Sequence, residues 1–455
     1  MRPPLSEGWQ TALPASALIG RTGSAGLLER TLPRSKLVSV PATPAVPAAA
    51  GSAHRLATLF GLLYFLQGIG EPTEGLIAQP VCALLKSWHD SPAQITAFAA
   101  LLSLPWSIKP LYGLLTDFLP LAGYHRKAYL VLSCLAALVG FAGLSFWPLP
   151  EGDHAWLMLL LLPTLGVAFG DVVVDALMVE QGQSRGLTGR LQSVQWGAIY
   201  AASILTGIAG GYLSGHQLYQ TAFAVCAIVA VLMLILSLTS VEEPPRPARE
   251  APFRHALRSL GQGLRSPVIL SVCLLIFLFE FNPFSATIQN VYMTDHLGFS
   301  EQFYGLTRSI VAVASIAACV GYGFYCRRVP MRWLVHLSIA LGVVATLAFW
   351  FLWSSHLACV VAFASGFAYT TAMLVQLDLA AQACPPAAAG TIFATIMALS
   401  NVSSSLSTYL GGIFFQQGID LWGHTASFNL LVGIGALTTA ACWLVVPLLP
   451  KRLVP

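Results

Sequence analysis

Residues 155–181 read AWLMLLLLPTLGVAFGDVVVDALMVEQ. At about 1.5 Å of rise per residue, such a run crosses a bilayer core of about 30 Å as one helix. Its second half nevertheless carries Asp171, Asp175 and Glu180. A charge at the centre of a span costs about 2.5–3.5 kcal/mol on insertion scales, so acids placed there mark a partner, a water-filled cavity or a transport path.

Runs of the same kind recur along nearly the whole chain. Of 455 residues, 56% are hydrophobic and 9% charged, and mean hydropathy is +0.72. A soluble domain carries about 25% charged residues, so this chain has too few to coat a water-facing surface. The pattern predicts an all-α integral membrane protein with twelve spans, near 56–80, 94–119, 128–147, 155–180, 188–213, 218–240, 268–291, 302–326, 333–353, 357–382, 390–416 and 427–449. An even number returns both termini to one side. Nearly all of the 23 lysines and arginines fall on the side of the amino-terminal tail, in the tail, the loops after spans 2, 4, 6 and 8, and the carboxyl end. Only Lys86 lands in a loop on the other side, so the positive-inside rule puts both termini in the cytoplasm.

The expected division is a tail over 1–54, a six-helix bundle over 55–241, a cytoplasmic linker over 242–267 and a second six-helix bundle over 268–450. The tail is rich in Ala, Pro, Ser and Arg, as in a disordered cytoplasmic tail or an organellar transit peptide. The first reading puts the protein in the plasma (cell inner) membrane, the second in a plastid envelope. Nine cysteines, mostly inside spans, form no C-x-x-C pair and read as small packing residues. No H-E-x-x-H, G-x-S-x-G or Walker A pattern occurs, and the ten histidines are scattered. These features argue against an enzyme, a metal site, a cofactor or a nucleic-acid partner.

The halves echo one another. GRLQSVQWG opens span 5 and GIAGGYLSG lies at its far end, while span 11 opens with GTIFATIMALSN and ends in YLGGIFFQQG. Each half also begins with a span broken by polar residues and proline, LQGIGEPTEG in the first and LFEFNPFSATIQN in the second. Parallel repeats of this kind place a substrate site between two similar bundles near the bilayer midplane. The plainer alternative is that small residues simply recur at helix interfaces.

With that organisation in view, KPLYGLLTDFLPLAGYHRK after span 2, GDVVVDALMVE leading into GRLQSVQWG, and ACPPAAAGTIFATIMALSN together resemble the folate–biopterin transporter family of the major facilitator superfamily. The similarity runs from about 60 to 445. In the superfamily's compact loop a basic residue directly follows the Asp; here Phe118 follows Asp117, and Arg126 and Lys127 come after Gly123. The resemblance implies a monomeric secondary transporter of folates or pteridines, a symporter coupled to protons. A porter or exporter of another small amphipathic or anionic solute is the alternative.

Depth orders the charged residues. Asp171 lies roughly 22 Å from the outer end of its span and Lys109 reaches a similar depth, so the two can pair. Asp175 follows one turn later, and Glu180 lies at the cytoplasmic end. The superfamily analogy makes Asp117, Arg126, Lys127, Asp175 and Glu180 a cytoplasmic gate. Toward the outside, Glu71 and Glu74 flank Pro72, Glu280 and Asn282 precede Pro283, and Arg308 enters span 8 at a similar height. Together with Lys109, Asp171, Gln195 and Asn401 they are the expected substrate and proton pathway.

A pterin presents two adjacent N–H donors that one carboxylate can accept, and Glu71 or Glu280 suits that task. Folate's glutamate tail needs a cation, and Lys109 and Arg308 are the only deep ones. Trp106, Trp196, Phe279, Phe281 and Tyr369 offer flat faces for the ring, or ordinary packing.

Overall fold

The computed structural model describes residues 50–147, 150–183, 185, 187–243, 265–325, 328–384 and 389–449. The expected tail before residue 50 and most of the linker lie outside the described residues. Within them every regular element is helical, apart from an isolated bridge between Leu121 and Tyr124.

Nine helices among the described residues are long and apolar enough to cross a membrane. Three further segments fall short for reasons visible in the sequence, and with them the architecture is consistent with the twelve expected spans. Span 11, Ala389–Trp422, is diluted by Ser, Thr and Asn. Spans 1 and 7 are interrupted.

Span 1 consists of Ala50–Gly70 and Ala78–Ser87. Pro72 cannot donate a backbone hydrogen bond, so the helix breaks there, and the chain closes a tight turn instead. Gly75 N donates to Glu71 O at 2.9 Å and Leu76 N to Ile69 O at 3.0 Å. Gly75 has no room for a Cβ against the carbonyls of Gly68, Ile69 and Glu71. Span 7 breaks at the matching place: Pro267–Glu280, a non-helical link through Pro283, then Ala286–Val291 and a wide final turn, Tyr292–His296. Both spans therefore run past their expected ends, and Lys86 sits on the helix of span 1 rather than in a loop.

Span 2 is also jointed, as Pro92–Ser107 and Lys109–Phe118 around Ile108. Pro110 has no N–H for the Trp106 carbonyl four residues back, which breaks the ladder at that point.

Packing follows the two halves. Residues 127–146 lie against 161–183 and 219–240, and 331–347 against 355–383 and 424–445. Phe60, Leu63, Tyr64, Leu130 and Val173 belong to a core of the first half; Ile269, Val272, Leu334 and Leu379 belong to one of the second. A third core, including Ile77, Phe98, Phe223, Phe284, Phe415 and Phe428, draws on both halves. It lies at the end away from residue 50, called distal below; the end of residue 50 is proximal.

Two long helix pairs join the halves, spans 5 with 8 and 2 with 11. The glycines of the quoted repeats make these contacts. Gly207 and Gly211 meet Gly305 without room for a side chain, and Gly412 meets Thr96 in the same way. Large apolar side chains such as Val344, Leu437 and Leu444 point outward, exposed by 67%, 71% and 79%, as a lipid-facing surface requires.

Candidate functional site

A cavity of about 570 Å³ lies between the halves, alongside the breaks in spans 1 and 7. Its walls come from both sides. The first half contributes Glu74, Phe98, Trp196 and Tyr200, and the second Phe279, Glu280, Asn282, Arg308 and Tyr369. The volume falls in the range of sites for drug-sized ligands.

The interrupted helices place the polar groups. Glu280 is the last residue of its helix segment, and its carboxylate accepts a hydrogen bond from Tyr369 Oη at 3.1 Å. Asn282 Oδ1 is buried without a hydrogen-bond partner among the described residues. Glu74 is exposed to the cavity. Glu71, one turn earlier, instead folds back: its carboxylate accepts from Thr73 N at 3.3 Å and from the Thr73 hydroxyl. Glu71 is therefore not among the residues that line the cavity, contrary to its expected place beside Glu280, because the turn needs an acceptor at that point.

Three of the expected aromatic residues, Trp196, Phe279 and Tyr369, line the cavity. Trp196 stacks on Tyr200 with centroids 5.8 Å apart. Trp106 lies instead beneath Lys109, whose Nζ is 4.4 Å from the ring centroid, and Phe281 stacks on Phe277.

The deep charges of the first half form a separate group away from the cavity. Lys109 Nζ donates to Asp171 Oδ2 at 2.6 Å, and Gln67 Nε2 donates to the other carboxylate oxygen. Asp175 accepts from Tyr64 Oη at 2.6 Å and from Gln195 Nε2 at 3.0 Å. The structure thus takes Asp175 out of the proximal cluster where the superfamily analogy puts it, and Gln195 away from the cavity. Asn401 is elsewhere too: its Nδ2 donates to Trp106 O at 3.0 Å, filling from the other half the carbonyl that Pro110 frees.

At the proximal end Arg126 gathers its partners. Its guanidinium donates to the Thr116 hydroxyl, to Asp117 Oδ1 at 2.5 Å and to Glu180 Oε1 at 3.1 Å. Lys127 does not join this group; its Nζ donates to Leu238 O at 2.9 Å. Glu243, not anticipated from the sequence, accepts from the backbone N–H groups of His125, Arg126 and Lys127 and so fixes the start of span 3.

A distal cluster was also missed. Lys86 of span 1 pairs with Glu301 at the start of span 8 and reaches Asp295 at 3.3 Å. Glu301 accepts further from Gln79 Nε2 at 2.7 Å and Asn290 Nδ2 at 3.2 Å. The one signal in the sequence was Lys86, a cation alone on the wrong side. Together with the glycine contacts it joins the halves at the distal end, and this joint is called the distal closure below.

Residues 73–454 match the BT1 family. A curated relative in Synechocystis sp., named as a folate-biopterin transporter, is 33% identical over 378 residues, covering 77% of this chain and 73% of that one. A Plasmodium falciparum protein named folate transporter 2 is 24% identical, covering 86% of this chain and 88% of its own. Among solved structures, a D-xylose-proton symporter superimposes with a TM-score of 0.65 at 14% identity, covering 87% of this chain and 98% of its own, a likeness of fold alone.

Proposed function

Because the chain belongs to the BT1 family, we propose that it is a secondary transporter of folates or pteridines that works by alternating access and is driven by protons. It is an integral, multi-pass membrane protein of the major facilitator fold. The observation that carries the reading is the cavity between the halves, flanked by two broken helices, with the halves joined at the distal end.

The lining suits the cargo. A pterin's adjacent N–H donors match one carboxylate, and Glu280 and Glu74 present two such acceptors. Trp196, Tyr200 and Tyr369 supply flat faces between them. Broken helices free backbone groups, which a membrane tolerates where they are buried in protein or line a water-filled cavity. The pathway role expected for Glu71 passes to Glu74 and Glu280.

Of the two, Glu280 is the proton carrier in this reading. Its partner is the neutral Tyr369 hydroxyl, so nothing cationic among the described residues holds it ionised by direct contact. In this reading both termini lie in the cytoplasm, as the basic residues favour, and the protein sits in a cell's plasma membrane, with a plastid envelope the alternative if the tail is a transit peptide. One chain supplies both walls of the cavity, so a monomer suffices.

Proteoliposomes containing the full chain, given radiolabelled folate against a panel of sugars and nucleosides under an imposed pH gradient, test the proposal. Folate accumulation that collapses with the gradient is expected. Glu280→Gln should abolish accumulation and keep exchange of substrate across the membrane, since an amide still hydrogen-bonds and no longer titrates. Normal pH-driven accumulation by this variant would remove Glu280 from the coupling step.

A further inference from the structure

We propose that Arg308 is the anion anchor of the central cavity and makes the carrier selective for pteridines bearing a carboxylate; this rests on the transport reading above. Arg308 is the one lysine or arginine among the described residues that line the cavity. Its guanidinium has no carboxylate within ion-pair distance among those residues, although Glu74 and Glu280 share the same cavity.

Three other cations at the spans are engaged. Lys86 is held by Glu301 and Asp295, Lys109 by Asp171, and Arg126 by Asp117 and Glu180. Lys109, the other candidate for a glutamate tail, is thereby removed: its charge is met by Asp171, and it is not among the lining residues.

A guanidinium without a counter-charge inside a membrane span is costly, and an incoming anion lowers that cost. Its planar fork fits a carboxylate with two parallel hydrogen bonds, which an ammonium cannot reproduce. Arg308 stands seven residues into its helix from Glu301, about 10 Å below the distal closure. Glu280 enters the cavity from a different helix, at the break in span 7. A ligand with a donor edge and an acidic tail satisfies both ends; a bare pterin satisfies one. The anchor therefore acts on specificity rather than on the coupling step.

The test compares exchange of folate and of biopterin, which share a ring and differ in the tail, in proteoliposomes of wild type, Arg308→Gln and Arg308→Lys. Arg308→Gln should lower folate exchange by tenfold or more, on the order of one lost charge-assisted pair, and leave biopterin within about threefold. Arg308→Lys should fall between, keeping the charge and losing the fork. The empty Arg308→Gln protein should melt no lower than wild type, because an unpartnered charge is removed, whereas a structural arginine would leave a less stable protein. Equal loss of both substrates, or no loss of folate, overturns the anchor. Should Arg308→Gln fail to accumulate, the anchor is likewise overturned as the sole role of the residue unless Arg308→Lys lowers folate relative to biopterin. Wild-type protein that carries neither compound overturns the transport reading itself, and this inference with it.

Discussion

Arg126 is only 6% exposed, yet the two acids that share it, Asp117 and Glu180, have side chains exposed by 37% and 38%. An exposed pair contributes about 0–1 kcal/mol and breaking a buried one costs about 3–5 kcal/mol, so this half-wet group belongs near the lower figure. Arg126→Ala should therefore insert and accumulate. It should slow the cycle, because all three side-chain partners tie the end of span 2 to span 4 within the first half and so set how that end moves. Single-turnover exchange should fall several-fold while equilibrium folate binding stays near wild type; loss of binding with normal exchange contradicts the assignment. At this scale sequence reading reached some residues and not others. Lys109 and Asp171 were legible as partners because equal depth in two spans leaves few alternatives. Glu71 and Glu74 were not separable, since which of two acids in one turn folds back onto Thr73 depends on backbone torsions that no pattern of residue types encodes.

Among the elements, span 2 shows how a proline is accommodated. Pro110 frees the Trp106 carbonyl, and Asn401 of span 11 answers it from the opposite half. An unpaired buried carbonyl costs about 1–3 kcal/mol, so Asn401→Ala should destabilise the protein by that order. Pro110→Ala restores an N–H that can close the helix onto the same carbonyl. The pair should be non-additive: Asn401→Ala should cost less in the Pro110→Ala background, by about 1 kcal/mol, in a double-mutant cycle followed by thermal unfolding. Additive effects would mean that the two groups do not share the carbonyl. Apolar length made the uninterrupted spans legible, and glycine with proline and glutamate announced the breaks in spans 1 and 7. Asn401 read only as a neutral hydrogen-bonding group, because its partner is a backbone atom 295 residues away.

For the whole molecule, the distal closure combines helices that touch through glycine with one charged cluster across the halves. Lys86 and Glu301 are 215 residues apart, and each alone looks like a charge bound for water, which is why the cluster was not legible. Lys86→Met should leave Glu301 and Asp295 without their cation and shift the carrier toward a distal-open form. Cysteine placed at Ser203 on the cavity wall should then react faster with a membrane-impermeant thiol reagent added from the distal side. Lys86→Met with Glu301→Gln should restore part of the stability lost in the single variant, since neither charge is stranded. An unchanged labelling rate would show that the glycine contacts hold the closure unaided.

The cavity's charges have an electrical side. With both carboxylates ionised, Glu74 and Glu280 outnumber Arg308, so the empty site holds one net negative charge. In the proposed alternating-access cycle the membrane's field passes from one side of that charge to the other, and a full potential of 100 mV is worth about 2.3 kcal/mol per elementary charge. A proton on one carboxylate cancels this charge, and a cargo's own carboxylates add to it. On that proposal voltage would act on each leg of the cycle differently, according to what the site holds as it turns.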